Sequence, residues 1–592
     1  MYPYGLIGNC QIAALVSESG SLDWLCLPRP DSPPVFGKIL DAAGGHFSIQ
    51  GVGAVSHSQE YLRNTNVLVT TVTNKNGDSF SITDFCPRFN QFGRMFRPFS
   101  VFRIVEPLHG QPQIQVDCRP VSGWEKEPLA PVRGNSHLRY DMRGESLRLW
   151  TNMPMTYLCE SQPFSLTEKT YFALGWNTAM EEDLAEVAEN FLRQTSEYWR
   201  MWVRHCNIPS EFQQETIRSA LALKLHCYED TGAILAALTT SLPEEVGGTR
   251  NWDYRFCWLR DASFVLNAFH QLGHFEEMEG FLKFLLSVVR ATEESREKLR
   301  PVYALDRSLP LPEKEHHNWT GFGNSLVRSR NQAAEHVQND VYGEMLLALA
   351  PIFLDERFYH LRTPDHEEML AKLTAFCVKY VGQPDAGLWE LRDGWREHSF
   401  SNLLCWAGID RAISIRERGF LQGQAFDLAK ERAKAEAAVR RATFDGCLGN
   451  GPEDNTPDAS LLFLPLLRFP DQSLNRETVL RLERELAFVS ADGQRHEGFL
   501  YRYLRQDDFG RPESAFLICS YWLVQALVRV GEKERARALM EKLSLAANPL
   551  GLLAEHFEPH EGVQLGNFPQ AYSHVGQILA AFAVSRPWDE VL

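Results

Sequence analysis

From residue 1 to about 178, apolar positions alternate with polar ones at a period of two, in short runs rich in Val, Thr, Ile and Phe broken by turn residues. That period sends successive side chains to opposite faces, so it predicts half-buried strands rather than helices. VLVTTVT at 67–73, the turn dipeptide Asn76-Gly77 and the run SFSITDF read as one hairpin. VFRIVEPLHGQPQIQVDC at 101–118, looping at His109-Gly110, repeats the scheme, and LRYDMRGESLRLW at 138–150 repeats it again. Many hairpins without a long helical window predict an antiparallel β-sandwich over 1–178.

The period changes at AMEEDLAEVAENFLRQTSEYWRMW, 179–202, where acidic residues occupy the first turns and apolar residues recur at helical spacing. This segment predicts a helical linker over 179–209. Beyond it, helical windows fall near 210–230, 259–273, 275–292, 339–354, 366–382, 398–418, 425–443, 456–468, 473–487, 513–532, 533–547 and 567–585. Twelve helices pair into six hairpins, and a ring of six hairpins is a closed double barrel with one helical layer inside the other. Residues 210–592 are therefore expected to form a separate helical domain. Its long connections, 231–258, 293–338, 383–397, 444–455, 488–512 and 548–566, are where function is expected.

Composition narrows the choice of partner. The chain of 592 residues is 44% hydrophobic and 23% charged, ample for a sizeable core, and its net charge of −16 repels nucleic-acid backbones and anionic lipid. No window approaches the roughly 18 apolar residues of a membrane span. The N-terminus lacks the basic and apolar regions of a secretory signal, which predicts a cytoplasmic protein. Twelve scattered cysteines, with no C-x-x-C pair, read as reduced thiols.

The connections hold the residues with chemistry. GGTRNWDYRFCWLRD at 247–261 crowds aromatics and charges in front of a helix. One reading has Asp261 charging the helix start with Arg260 as its ion partner. The other is a sugar pocket, in which Trp252, Tyr254 and Trp258 offer aromatic faces to the apolar side of a pyranose while charged groups bond its hydroxyls. AGLWELR at 386–392 places Glu390 after Trp389, although a lone glutamate is ordinarily a solvated surface group. In GLLAEHFEP at 551–559, Glu555 sits among Leu552, Leu553, Ala554 and Phe557, a setting that raises a carboxyl pKa, orients a base, or simply buries a structural acceptor. Phosphate-loop, dinucleotide, zinc-protease and serine-hydrolase motifs are missing, and the His316-His317 pair has no ligand spacing around it. No cofactor and no metal is assigned.

At this point the chain resembles glycoside hydrolase family 15, the glucoamylase-like enzymes, over nearly its whole length. LIGNCQIAALVSESGSLDWLCLPRPDSPPVF at 6–36 resembles the N-terminal signature of the bacterial and archaeal members. NWDYRFCWLRDA at 251–262, QNDVYGEML at 338–346, GLWELR at 387–392, ESAFLICSYWLVQAL at 513–527 and LGNFPQAYSHVG at 565–576 resemble further family blocks, in order. The resemblance implies an N-terminal β-sandwich followed by an (α/α)6 barrel. It implies Glu390 as general acid and Glu555 as general base, in an inverting reaction that needs the carboxyls roughly 6.5–9.5 Å apart. Tyr254, Trp258, Arg260 and Asp261, with Trp389 of the GLWE block, are implied to line the subsite for the non-reducing glucose. Two departures stand out: His556 follows the base where the block more often has an acidic or amide residue, and GNGPEDNTPDASLL at 449–462 is unusually polar.

The leading expectation is therefore an exo-acting α-glucosidase that releases β-glucose from malto- or isomalto-oligosaccharides. The alternatives are a trehalase of the same family, a non-catalytic glycan-binding protein on the same scaffold, and a phosphorolytic enzyme on a similar barrel. The sequence does not give the oligomeric state.

Overall fold

A computed structural model describes the chain from Met1 to Leu592, except residues 143, 296–297, 393 and 424–425 and the side chains of 293–295. Those positions fall in the expected hairpin 138–150, the connections 293–338 and 383–397, and the start of the window 425–443, so these expectations are tested only on their other residues.

The N-terminal part is two antiparallel sheets face to face. The first runs Tyr4–Gly8, Ala13–Ser17, Ser21–Cys26, His46–Gly51, Gln113–Arg119 and Phe164–Ser165, with Pro34–Phe36 also paired to Ser21–Cys26. The second runs Val132–Arg133, His137–Met142, Glu145–Thr151, Thr170–Trp176, Ser100–His109, Ser79–Phe85, Leu68–Asn74 and Ala54–Tyr61. Alternate residues of both sheets meet in one core, with Val16, Phe47, Ile49 and Val116 from the first and Ile82, Val105, Leu149 and Phe172 from the second. The expected hairpins at 67–85 and 138–150 are both present.

The expected hairpin over 101–118 is not. Ser100–His109 already has Ser79–Phe85 on one edge and Thr170–Trp176 on the other, so Gln113–Arg119 has no free edge there. It crosses instead to the first sheet and pairs with His46–Gly51. Alternation identifies strands but carries no information about which edge a strand finds.

Arg103 ties the two sheets together. Its guanidinium forks onto Asp84 (2.7 and 3.2 Å) and also donates to the carbonyls of Phe47 and Gly20, each at 2.7 Å. Both side chains of the ion pair are 0% exposed. Arg103→Ala leaves the Asp84 charge buried without a partner, and we expect a loss of about 3–5 kcal/mol. The shift in the urea unfolding midpoint measures it.

A 21-residue helix, Leu184–Arg204, capped by the Asp183 side chain on the amides of Ala185 and Glu186, leads out of the sheets. Twelve helices follow among the described residues. Six pack neighbour on neighbour: Leu259–Leu272, Asp340–Leu354, Ser399–Glu417, the broken segment Ala459–Leu466, Leu517–Arg529 and Ala571–Val584, the last of which returns to the first. Gln213–Leu225, Glu276–Ser295, Pro364–Tyr380, Leu428–Arg440, Gln472–Glu485 and Lys533–Leu543 lie against them from outside. Inner members such as LICSYWLVQALVR are buried on nearly every face, whereas Lys533–Leu543 on the outside shows a single apolar stripe. A Cβ at Gly343 would stand 2.1 Å from the Leu404 carbonyl, so glycine permits the close approach of two inner helices.

The window at 456–468 is shorter than expected. Asp458 starts a 3-10 turn at Ala459–Leu462, and only Phe463–Leu466, which contains Pro465, is α-helical.

Candidate active site

Five of the six connections that lead into the inner helices contribute residues to one cleft. All seven residues singled out from the sequence line it: Tyr254, Trp258, Arg260, Asp261, Trp389, Glu390 and Glu555. About 850 Å³ of empty space lies within it, the open mouth included. That suits a small sugar rather than a macromolecule.

Alternation places Tyr254. Its neighbours Asp253 and Arg255 pair with each other at 2.7–2.8 Å and turn toward the N-terminal part, where Arg255 donates to the carbonyls of Pro30 (3.2 Å) and Ser32 (2.6 Å). Tyr254 therefore faces the other way, into the cleft, edge-on to Trp258 with ring centroids 5.5 Å apart. The sheets thus brace the loop that builds the pocket.

Glu390 is fixed through one oxygen. Its Oε1 accepts from the Trp258 indole Nε1 at 2.6 Å and from Arg260 Nη1 at 3.2 Å, and among the described residues no hydrogen bond engages Oε2. The backbone at Glu390 is left-handed, φ 62°, a strained setting for a side chain of this size. Its turn is held from outside: Asp385 accepts from the amides of Gly387 and Asn339 and from the Ser401 hydroxyl, and Gln338 donates to the Gly387 carbonyl at 2.7 Å. This is the structural work of the QND block. Trp389 is anchored in turn by its indole N–H on both oxygens of Asp458, at 2.9 and 3.0 Å, and Asp458 also takes Arg505. The polar segment 449–462 therefore supports the floor of the cleft through Asp458.

Arg260 and Asp261 satisfy both sequence readings at once. They occupy the first turn of Leu259–Leu272 and pair at 3.3 Å, yet both also line the cleft. Arg260 spends its remaining donors on Glu390, on the Leu388 carbonyl at 2.7 Å and on the Tyr572 hydroxyl. Burial pushes Asp261 up to about 6 against the pull of Arg260.

Glu555 is 2% exposed and stands between two strands of the chain. Its amide donates to the Asn567 carbonyl at 3.1 Å, and the Asn567 amide returns a bond to Glu555 Oε2 at 3.3 Å. Gly566, at φ 75°, leaves the space, because a Cβ there would lie 2.6 Å from that oxygen. Burial pushes Glu555 up to about 8, and the nearby Glu244 carboxylate adds to this, while Arg502, the Asn567 amide and Tyr254 oppose it. Burial is thus the larger cause of the shift and Glu244 the second.

Glu244 itself was not legible. Arg502 grips it with bonds of 2.6 and 3.0 Å, which holds it ionised despite complete burial. Glu244, Glu555 and His556 bring their ligand atoms within 4.8 Å of one another. Both Glu244 oxygens accept from Arg502, so this group already carries a positive charge of its own. Sequence reasoning also missed Tyr572, Phe516, Tyr503 and Phe509. The only available signal was that they lie in or beside quoted blocks and long connections.

Comparison with known proteins agrees with this geometry. Residues 211–582 match the profile described as glycosyl hydrolases family 15. The chain belongs to that family. It is accordingly a glycosidase, and residues 3–120 match the profile described as trehalase-like, N-terminal. Among family 15 relatives, a trehalase of Mycolicibacterium smegmatis is 33% identical over 99% of this chain and 91% of its own length. Trehalase 1 of Sulfolobus acidocaldarius is 31% identical over 98% of each chain. A trehalase of Thermoplasma volcanium is 30% identical over 98% of this chain and 92% of its own. A bacterial glucoamylase solved with acarbose superposes with a TM-score of 0.68 at 13% identity, covering 98% of this chain and 94% of that one, which shows a shared fold. Among the described residues no helix is long and apolar enough to cross a membrane.

Proposed function

We propose that this glycosidase hydrolyses α-glucosides with inversion, using Glu390 as acid and Glu555 as base, and that trehalose is its preferred substrate. One observation carries the mechanism: two carboxyls, 165 positions apart in sequence, face one aromatic cleft, and one of them is bonded through a single oxygen. With Oε1 of Glu390 held by Trp258 and Arg260, a proton on Oε2 points to the glycosidic oxygen. That proton passes to the leaving sugar as the bond breaks, while Glu555 takes a proton from water on the opposite ring face. The carboxyl separation required is roughly 6.5–9.5 Å. Tyr254 lines the same cleft as both carboxyls, and in this mechanism it faces the sugar ring near the developing positive charge.

We read the helical ring as an (α/α)6 barrel, residues 210–592, joined through a linker at 179–209 to a sandwich domain at 1–178. The expectation of malto- or isomalto-oligosaccharides as first substrate gives way to its alternative. What supports trehalose is that relatives spanning nearly the full chain in Mycolicibacterium smegmatis and Sulfolobus acidocaldarius bear the name trehalase, and that the N-terminal profile is trehalase-like. Glucose release from trehalose, maltose, isomaltose and dextran tests this. We expect kcat/KM on trehalose to exceed the others by about tenfold or more, a difference of ~1.4 kcal/mol in transition-state binding. Equal amounts of α- and β-glucose should appear first by NMR, because only the sugar attacked by water inverts. A preference for maltose would overturn the substrate, and two α-glucose molecules would overturn inversion.

A further inference from the structure

His556, beside the proposed base, has a side-chain geometry that the mechanism above does not use. Its ring is completely buried and stacked on Phe516 at 4.5 Å with 6° between planes, which fixes the ring plane. Nδ1 lies 3.0 Å from the Ser514 hydroxyl oxygen, and that hydroxyl gives its own proton to the Glu244 carbonyl at 3.0 Å. Nδ1 must therefore be the donor, which leaves a lone pair on Nε2 in the neutral ring. Nε2 has no hydrogen-bond partner and looks onto two carboxylates, Glu244 Oε1 at 3.6 Å and Glu555 Oε1 at 3.8 Å. Three acceptors facing one another inside a protein repel unless something positive lies between them.

The charges that face this point are those of Glu244, Glu555, Arg502 and, further off, Arg250, which is paired with Asp507. Arg502 offsets one carboxylate. A single extra proton makes the cluster neutral.

We propose that His556 is a positioning residue for Glu555, whose Nε2 takes up the proton of this cluster so that Glu555 meets the attacking water as a carboxylate. This rests on the assignment of Glu555 as base. In the transfer the Glu555 O–H bond breaks, an Nε2–H bond forms, and the imidazolium then stands as a positive charge facing the two carboxylates. Burial disfavours each charged form taken singly, raising Glu555 and lowering His556, but the two titrate as a pair.

The test is the pH profile of kcat/KM for glucose release by His556→Gln. Without Nε2 the proton stays on Glu555, so the acidic limb should move up by about one pH unit or more, with roughly tenfold loss at its foot and recovery on the alkaline side. KM should change little. A loss of the same size at every pH, or a profile superimposable on that of the unmodified enzyme, overturns the proposal. A second readout needs neither turnover nor that variant. In ¹⁵N-histidine-labelled protein, Nε2 of His556 should carry a proton near neutral pH and lose it in Glu555→Gln, where the cluster is already neutral. An unprotonated Nε2 throughout overturns the proposal as well. Full turnover in Glu555→Gln would instead remove the base assignment, which the nitrogen shifts do not depend on.

Discussion

Glu390→Gln should lower kcat on trehalose by about 10³-fold or more with little change in KM, since general acid catalysis contributes typically 10²–10⁴-fold. The amide keeps the shape of the carboxyl and leaves an acceptor for the Trp258 indole, which donates at 2.6 Å, but has no acidic proton to place on the leaving oxygen. The loss should depend on the leaving group. α-Glucosyl fluoride departs without protonation, so the variant should hydrolyse it at a rate close to that of the unmodified enzyme. A stopped assay of glucose and fluoride release measures both. Equal losses on trehalose and on the fluoride would mean that Glu390 does not act as the acid.

The base should behave in the opposite way. Glu555→Ala should lose about 10³-fold or more on both substrates, because water attack is impaired whatever leaves. Azide, small and already nucleophilic, needs no base and should enter the space vacated by the carboxylate. Added azide should restore consumption of α-glucosyl fluoride and yield the β-glucosyl azide, identified by its anomeric proton coupling. An α-azide would indicate a covalent intermediate and overturn inversion. The bond from the Glu555 amide to the Asn567 carbonyl is backbone to backbone, so it persists in the variant and the fold around it should hold, while the Asn567 amide loses its carboxylate acceptor.

The two assignments differed in how far the sequence could take them. Glu555 is surrounded by Leu552, Leu553, Ala554 and Phe557, and all four are buried as their character predicts. Burial is also the first cause of its raised pKa, and the apolar character of these neighbours is the part of that burial the sequence shows. The second cause, Glu244, lies 311 positions away, and its ion partner Arg502 lies 258 positions from it. No periodicity links them. Glu390 was weaker still, since nothing local distinguishes it from a surface glutamate. Its orientation comes from Trp258 and Arg260 across the cleft and from Gln338, Asn339 and Asp385 beneath its turn. The family blocks marked these segments without saying what each one touches.

What the sequence determined by itself was the kind of element at each place: alternating strands to about residue 178, then helices at 3.6-residue spacing, with aromatics and charges gathered in the connections. Local physics suffices there, because side-chain direction follows from backbone period alone. Tertiary structure decided everything that depends on two distant segments meeting. It sent Gln113–Arg119 to the other sheet because both edges of Ser100–His109 were taken. It joined one oxygen of Glu390 to Trp258 and Arg260, and it set Glu244 and His556 against Glu555. The reason is dielectric as much as geometric. A carboxyl acquires an unusual proton affinity only when the chain has closed over it, and which charges are enclosed with it is fixed by the whole ring of helices rather than by any one of them.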